Sequence, residues 1–403
     1  MRISTLQIHQ QALQSMQRQQ EKVQRTELQI SSGMKILRAS DDPVGAVKVL
    51  NLNSNMGMVD QYSRNVSQAN AALSYQESVL VSVNDALQRV RELTLQANNP
   101  ANHASALRSI GQEIDENLNQ LKMLANTRDA AGEYIFGGFR VDEPPFVESG
   151  GTMTYNGDQG QRLVQVGEGA QVAVRDPGDA IFMNIRGGDG RVQVLPSTGN
   201  AGSAVVGQFG VVGAFNGGTY TVSFTQAAPN APLEYTAVDD ATPTPNVVAS
   251  GPYTDGGTIN VAGAQFTLTG TPVAGDTITV RGAQNVDIFT MVADVVSALQ
   301  DGTTGSAALA RRQNALAQGL ANFDQALDGI SNQRAAVGSR LAHVESMDEL
   351  NQDFKLQLET VLSATQDLDY AEAISSFNLQ LTSLQAAQQA YTKTSELSLF
   401  RYL

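Results

Sequence analysis

The chain has 403 residues, a formal net charge of −14 and no Cys or Trp. That length accommodates two or three domains with real cores, while zero Cys excludes disulfides, thiolate nucleophiles and thiolate metal sites, and the negative charge argues against a nucleic-acid partner. There is no run of about 18 apolar residues, so no membrane span is expected, and the start MRISTLQIHQQ lacks the apolar stretch of a cleaved signal peptide.

The first helix reads from a stripe. Leu6, His9, Leu13, Met16, Gln20, Val23, Glu27, Ile30, Met34 and Leu37 follow an unbroken heptad register, with Gln20 and Glu27 as weak points and Gly33 not expected to break it. Ser40-Asp41-Asp42-Pro43 is a stop and restart signal, with Asp41 or Asp42 as N-cap and Pro43 at the first helical position. Over residues 60–98, Tyr62, Val66, Ala69, Leu73, Gln76, Leu80, Val83, Leu87, Val90, Thr94 and Ala97 step by 4 and 3 without a slip. Asn99-Pro100 ends that helix, and Leu107, Ile110, Ile114, Leu121 and Leu124, with Asn117 in the intervening slot, predict an antiparallel return.

The returning helix ends in ANTRDAAGEYIFGGFRVDEPPF, where Gly132, Gly137-Gly138 and Pro144-Pro145 switch the pattern to extended chain. Composition changes with it: residues 140–305 hold 26 of the 36 Gly, 10 of the 12 Pro, no Lys, six Arg and 16 acidic residues. Short β-rich runs at 153–155, 162–166, 171–174, 191–195, 218–225, 258–261, 265–268 and 277–280 suggest an antiparallel sandwich or barrel of about 150 residues. Asn156-Gly157 and Asn216-Gly217 are the expected hairpin turns, and 229–251 reads as a long loop or a seam.

Helix returns over 286–300 and again from about Ser306. There Leu316, Leu320, Phe323, Leu327, Ile330, Arg334, Val337, Leu341 and Val344 form a seam, with a three-residue slip near Met347 before Phe354, Leu358, Val361 and Leu368. The last segment places Ile374, Phe377, Leu381, Leu384 and Tyr391 on one stripe and ends in Leu397, Leu399, Phe400 and Leu403, which is apolar for a terminus.

The fold class is therefore α+β: a long α-helical coiled-coil bundle formed by both chain ends, with an inserted, mainly antiparallel β domain. The expected division is 1–45 with 366–403 as terminal assembly helices, 46–139 with 306–365 as the helical bundle, and 140–305 as an outward β-rich insert. The terminal stripes are too sparse to offset backbone ordering alone and too regular for linkers. Both ends are thus expected to take shape when subunits pack together. The assembly interface expected from this is Leu6, Leu13, Met16, Val23, Ile30, Met34, Leu37, Phe377, Leu381, Leu384, Tyr391, Leu397, Leu399 and Phe400.

Reactive constellations are missing. His9, His103 and His343 are far apart and none has a second ligand at metal spacing; no P-loop, nucleophile elbow or dinucleotide fingerprint occurs, and Gly187-Gly188-Asp189-Gly190 reads as a turn. No catalytic residue, cofactor or metal is expected. A surface adhesin or carbohydrate-binding role for the β insert is the competing reading from another class.

Several stretches resemble the bacterial flagellin family. Ser31-Ser32-Gly33-Met34-Lys35 followed by Asp41-Asp42-Pro43-Val44-Gly45 is similar to its N-terminal signature, and VRELTLQANN to the end of its long helix. The block with Gly132, Tyr134, Phe136 and Gly138, then Tyr155-Asn156-Gly157-Asp158, and the ending after residue 373 look more like the hook-associated members than like filament flagellin. The likeness covers about the first 180 and the last 100 residues. It implies export through the flagellar type III apparatus and a ring of copies between the first hook-associated protein and flagellin. It also implies an inner tube of paired termini and a cytoplasmic export chaperone on the C-terminal helix. Filament flagellin itself is the alternative.

Overall fold

A computed structural model describes residues 5–228, 231–241 and 246–396. It is helical at both ends, with α1 (Thr5–Ser32), α2 (Pro43–Ala97) and α3 (Ala104–Ala125) before a β-rich middle and α4 (Ile288–Gln300), α5 (Ser306–Gln366) and α6 (Tyr370–Glu396) after it. Contacts divide the chain into two units, one of Met1–Val66 with Ser346–Leu403 and one of Ser67–Glu345. No described helix is long and apolar enough to cross a membrane.

In the first unit, α1 and α6 run antiparallel. His9 meets Tyr391 edge to face at 5.6 Å, and Thr26 Oγ1 donates to Gln380 Oε1 at 3.0 Å. The expectation that α1 passes through Gly33 fails. Gly33 takes φ +71°, a left-handed conformation that ends the helix, so Met34 and Leu37 leave the helical register. That loop is pinned to a second interruption, between α5 and α6. Lys35 N donates to Gln366 O at 2.7 Å and Leu368 N to Gly33 O at 3.0 Å, making a bridge of Met34 with Asp367. Asp42 accepts Gly45 N at 2.9 Å as the α2 cap; Asp41 instead holds the loop, taking Leu37 N, Arg38 N and the Arg25 guanidinium. Asp369 Oδ1 accepts Ala371 N at 2.9 Å, starting α6.

In the second unit the five-heptad stripe of α2 is the core. Every member from Val66 to Ala97 is buried, and only Tyr62 lies partly open. The α3 stripe is Leu107, Ile110, Ile114, Leu118 and Leu121, so Leu118 rather than Asn117 faces in; Asn117 Nδ2 bonds Glu113 O at 2.7 Å. In α5, Leu316, Phe323, Ile330, Val337 and Val344 of this unit are buried at seven-residue steps, and Asn351 and Leu358, in the part of the helix that belongs to the first unit, are buried on the same spacing. The slip expected near Met347 is absent. Asn351, a polar residue at an inward position, broke the apolar pattern without breaking the register, and Phe354 is exposed. α4 is capped by Asp287, whose Oδ1 accepts Thr290 N at 2.7 Å, and it lies against Gly111 of α3 and Gly319 of α5, where a Cβ would come within 3.2 Å and 2.5 Å of its side chains.

The β-rich middle is two things. Two hairpins, β1 (Phe146–Ser149) with β2 (Thr152–Tyr155) and β3 (Leu163–Gly167) with β4 (Ala170–Ala173), come first. A short pair follows, β5 (Ile185–Arg186) with a later strand. Then β6 (Val192–Pro196), β7 (Val205–Val211), β8 (Thr219–Gln226), β9 (Leu233–Asp239), β10 (Asn246–Pro252), β11 (Thr258–Val261), β12 (Ala264–Thr269) and β13 (Thr277–Gly282) form a sandwich; β14 (Asn285–Val286) pairs with β5. A five-stranded sheet ordered β10-β9-β8-β13-β6 packs on a three-stranded sheet ordered β11-β12-β7. Their shared core includes Tyr220, Val222, Phe224, Phe266, Leu268 and Val280, alternate residues of their strands.

The sandwich proper is shorter than expected, because the hairpins before β6 belong to a different core. Phe136, Phe146, Phe182 and Phe289 form an aromatic cluster with centroids 5.2–6.0 Å apart, tying the block after α3 to α4. The segment read as a loop over 229–251 contains β9 and β10. These strands bury little beyond Ala237, so their apolar alternation was too weak to read; β9 is held by pairing with β8, and the edge strand β10 by pairing with β9. Asn216-Gly217 and Asn156-Gly157 are not hairpin turns, since the strands they join do not pair with each other. Two of the tight turns, Gly150-Gly151 and Ala262-Gly263, each have two positive φ values.

Candidate assembly surfaces

The α1–α6 seam selects one face of each helix. On α1, Met16, Val23 and Ile30 face inward together with His9, Ala12, Gln19 and Thr26, all buried or half-buried. Leu13, placed on that seam by the sequence, is 45% exposed. Every second seam position lies one residue earlier than expected because small and polar side chains, Ala12 and Thr26 on α1 and Ala373 on α6, are what a close helix pair admits. On α6, Phe377, Leu381, Leu384 and Tyr391 are half-buried on the inner side, and Ile374 points out. Met34 and Leu37 sit in the joint after α1, where Gln366 Nε2 lies 3.1 Å from the Met34 sulfur. Leu397, Leu399, Phe400 and the side chain of Leu6 lie outside the described residues.

What the sequence reading missed is the outward face. Val44 is 81% exposed, and Val47, Leu50 and Met58 follow it along α2; Leu28, Leu350, Phe354, Leu356, Ile374 and Leu379 are exposed on the other helices of the same unit. Inner residues of this part of α2 are few: Leu52 and Val59 bury against Leu358, with Met56, Val361 and Leu362 at the edge. Lys355 Nζ meets Asp60 at 2.7 Å beside them, and that hydrogen bond holds the Asp60 carboxyl below its usual range. Over half of the large apolar side chains that stand exposed in the described residues belong to this smaller unit. The signal was available in Val44-Val47-Leu50, spaced by three immediately after a helix cap, off the stripe that continues into the core.

The motif residues Ser32, Gly33, Asp41 and Asp42 are joint residues. Ser32 Oγ accepts Met34 N at 3.2 Å, and a Cβ on Gly33 would stand 2.9 Å from the Tyr370 hydroxyl. The second motif block is equally structural. Gly132 closes a turn at φ +82°, Tyr134 lies under Arg128 with 4.3 Å from guanidinium carbon to ring centre, and Phe136 fills the aromatic cluster. Gly138, at φ +71°, abuts Asp158, and a Cβ there would collide with its backbone at 2.4 Å. Asp158 Oδ1 accepts Phe139 N at 2.9 Å and Gly160 N at 2.7 Å, which holds its carboxyl below the usual range. Tyr155, donating to Phe136 O at 2.9 Å, is pushed up to about 12 by burial.

A buried polar network braces the second unit. Asp176 accepts Arg340 Nη2 at 2.7 Å, Gln76 Nε2 at 2.8 Å and Gln161 Nε2 at 2.9 Å. Asp189, in the Gly-rich stretch, accepts Arg191 N and Val192 N and so closes a turn. His103 precedes α3 and His343 is exposed. No cluster of three metal-binding side chains occurs among the described residues.

Comparison with known proteins gives these surfaces a context. Residues 3–140 match the family model for the bacterial flagellin N-terminal helical region. Flagellar hook-associated protein 3 of Escherichia coli (strain K12) is 25% identical over 409 residues, covering 100% of this chain and 99% of that protein. The crystal structure of Xanthomonas campestris FlgL is 30% identical with a TM-score of 0.72, covering 77% of this chain and 99% of that one. The flagellar junction protein FlgL from Legionella pneumophila is 28% identical with a TM-score of 0.71, covering 80% and 100%. By contrast, likeness to a Salmonella flagellin spans 97 residues, 24% of this chain. A motif-built joint, an exposed apolar terminal unit and matches that run the full length of hook-associated relatives converge: the chain belongs to the FlgL family of flagellar hook-associated proteins.

Proposed function

We propose that the chain is a structural subunit of the bacterial flagellum, without a reactive centre, that joins the hook to the flagellin filament. Its own copies form a ring there, in contact with the first hook-associated protein on one side and flagellin on the other. One observation carries the reading: exposed apolar side chains concentrate in the unit made from the chain ends, where neighbouring subunits can cover them. Residues 1–45 and 366–403 serve as inner assembly helices, 46–139 and 306–365 as the shell around them, and 140–305 as the acidic outer part. A cytoplasmic export chaperone holds the C-terminal helix, with its exposed Ile374 and Leu379, before assembly. Cells lacking the gene are expected to build hooks and release flagellin into the medium. Filaments firmly attached to such cells would sink the proposal.

A further inference from the structure

The first unit carries two exposed rows that its own fold leaves unmatched. On α2, Val44, Val47 and Leu50 step by three residues, each more than half exposed, with Lys48 exposed beside them. On α5, Leu350 and Leu356, also more than half exposed, flank Asp353 at the same three-residue step, with Glu349 exposed beside them. Each row runs over six residues, about 9 Å at the helical rise. Rows at this spacing are ridges of the kind that pack into the groove of a facing helix.

The rows are opposite in sign. Among the described residues the first unit has two ion pairs, Arg25 with Asp41 and Lys355 with Asp60. Lys35, Arg38 and Lys48, all exposed in or just after the joint, are left without a carboxylate partner, and Glu349 and Asp353 without a cation. Near the first row, Asp41 is taken by Arg25 and Asp42 by Gly45 N, so the excess charge there stays positive in a chain of net charge −14. The second row stands in a stretch, 346–359, with four carboxylates and one cation, Lys355, already paired.

Within one copy the rows do not meet, because the facing sides of α2 and α5 are filled by Leu52 and Val59 against Leu358. A symmetric contact of either row with its own counterpart would set Lys48 toward Lys48 or Asp353 toward Asp353. Contact between unlike rows joins apolar ridge to apolar ridge and cation to carboxylate at once. Such a contact is head-to-tail and leaves one row free at each end, which is what a ring or a helical stack requires. We infer that the Val44–Leu50 row of one copy, with Arg38 and Lys48, docks on the Leu350–Leu356 row, with Glu349 and Asp353, of a second copy of this chain.

This pairing rests on the ring of the proposed function, and the test separates the two. The chain has no Cys, so introduced thiols are its only ones. In isolated hook-filament structures, Lys48→Cys combined with Asp353→Cys and treated with a short bismaleimide should give dimers and higher multiples of the chain, whereas either substitution alone should leave it monomeric. In a second arm, Lys48→Glu and Asp353→Lys should each lower the number of attached filaments about tenfold, and the two together should restore it to within about twofold. Unchanged melting temperatures of the free variants would show that the single losses are not misfolding. Dimers from a single-cysteine variant, links closed within one chain, or attached filaments with neither multiples from the double variant nor rescue in the swapped pair would overturn the inference. Should the cysteines themselves detach filaments, the charge swap decides. Failure of the unaltered gene to restore attachment in a deletion strain would instead take down the ring.

Discussion

Along α2 the same kind of helix serves two ends. From Ala69 to Ala97 its stripe is wholly buried, whereas at Val44, Val47, Leu50 and Met58 apolar side chains stand in solvent. The first region reads as a finished core and the second as half of one. Stability in the bundle is therefore expected to depend on single side chains, and stability in the terminal unit to depend little on its outward residues until subunits meet.

Leu80→Ala, at a fully buried position of the α2 stripe, is expected to cost about 3–4 kcal/mol, measured by denaturant unfolding of the free chain. A loss below about 1 kcal/mol would mean that the bundle is no better packed than the ends. Asp176→Ala should cost about 3 kcal/mol by stranding Arg340 and Gln76, and Asp176→Asn should recover part of it. Gly33→Val should cost about 1–2 kcal/mol by forcing a branched residue into left-handed backbone against Tyr370, with hydrogen exchange rising at the end of α1.

A subtler effect has a pH signature. The Asp158 carboxyl is held below its ordinary range by the Phe139 and Gly160 amides, so its contribution is present above the unfolded-state value near 4 and disappears as pH falls through the lower folded value. The melting temperature of Asp158→Asn should lie below that of the native chain at pH 7 and converge on it in acid. A gap that widened on acidification would show the carboxyl's role to be misread. Smallest of all on the free chain is the paired change Val47→Asp with Leu50→Asp, expected to alter stability by less than about 0.5 kcal/mol. Filament attachment scored by electron microscopy should nevertheless be lost, and intact attachment would remove the distinction between the two regions.

The residues explain which parts were legible. The α2 stripe was plain because five heptads of apolar side chains repeat without interruption, and Asp42-Pro43 announced its start through a cap that needs only its own neighbours. On α5 the register was obscured at Asn351, because a polar residue at an inward position looks like a shift of phase. On α1 the seam was misassigned at Leu13 for the opposite reason: the inward positions are Ala12 and Thr26, which reward close approach rather than bulk. β9 and β10 were invisible because backbone pairing, of β9 with β8 and of β10 with β9, holds them more than buried side chains do.

Composition, periodicity and local stop signals thus determined the α+β class, the helical ends, the inserted sheets and the absence of a readable reactive centre in the sequence. Those features are written in residues close together in the chain. Only the tertiary structure decided which face of α1 meets α6, that Gly33 and Asp367 fasten two helix breaks into one joint, and which apolar side chains are left outside. Each of these depends on how near a distant segment comes, and separation in space is not encoded by spacing along a single helix.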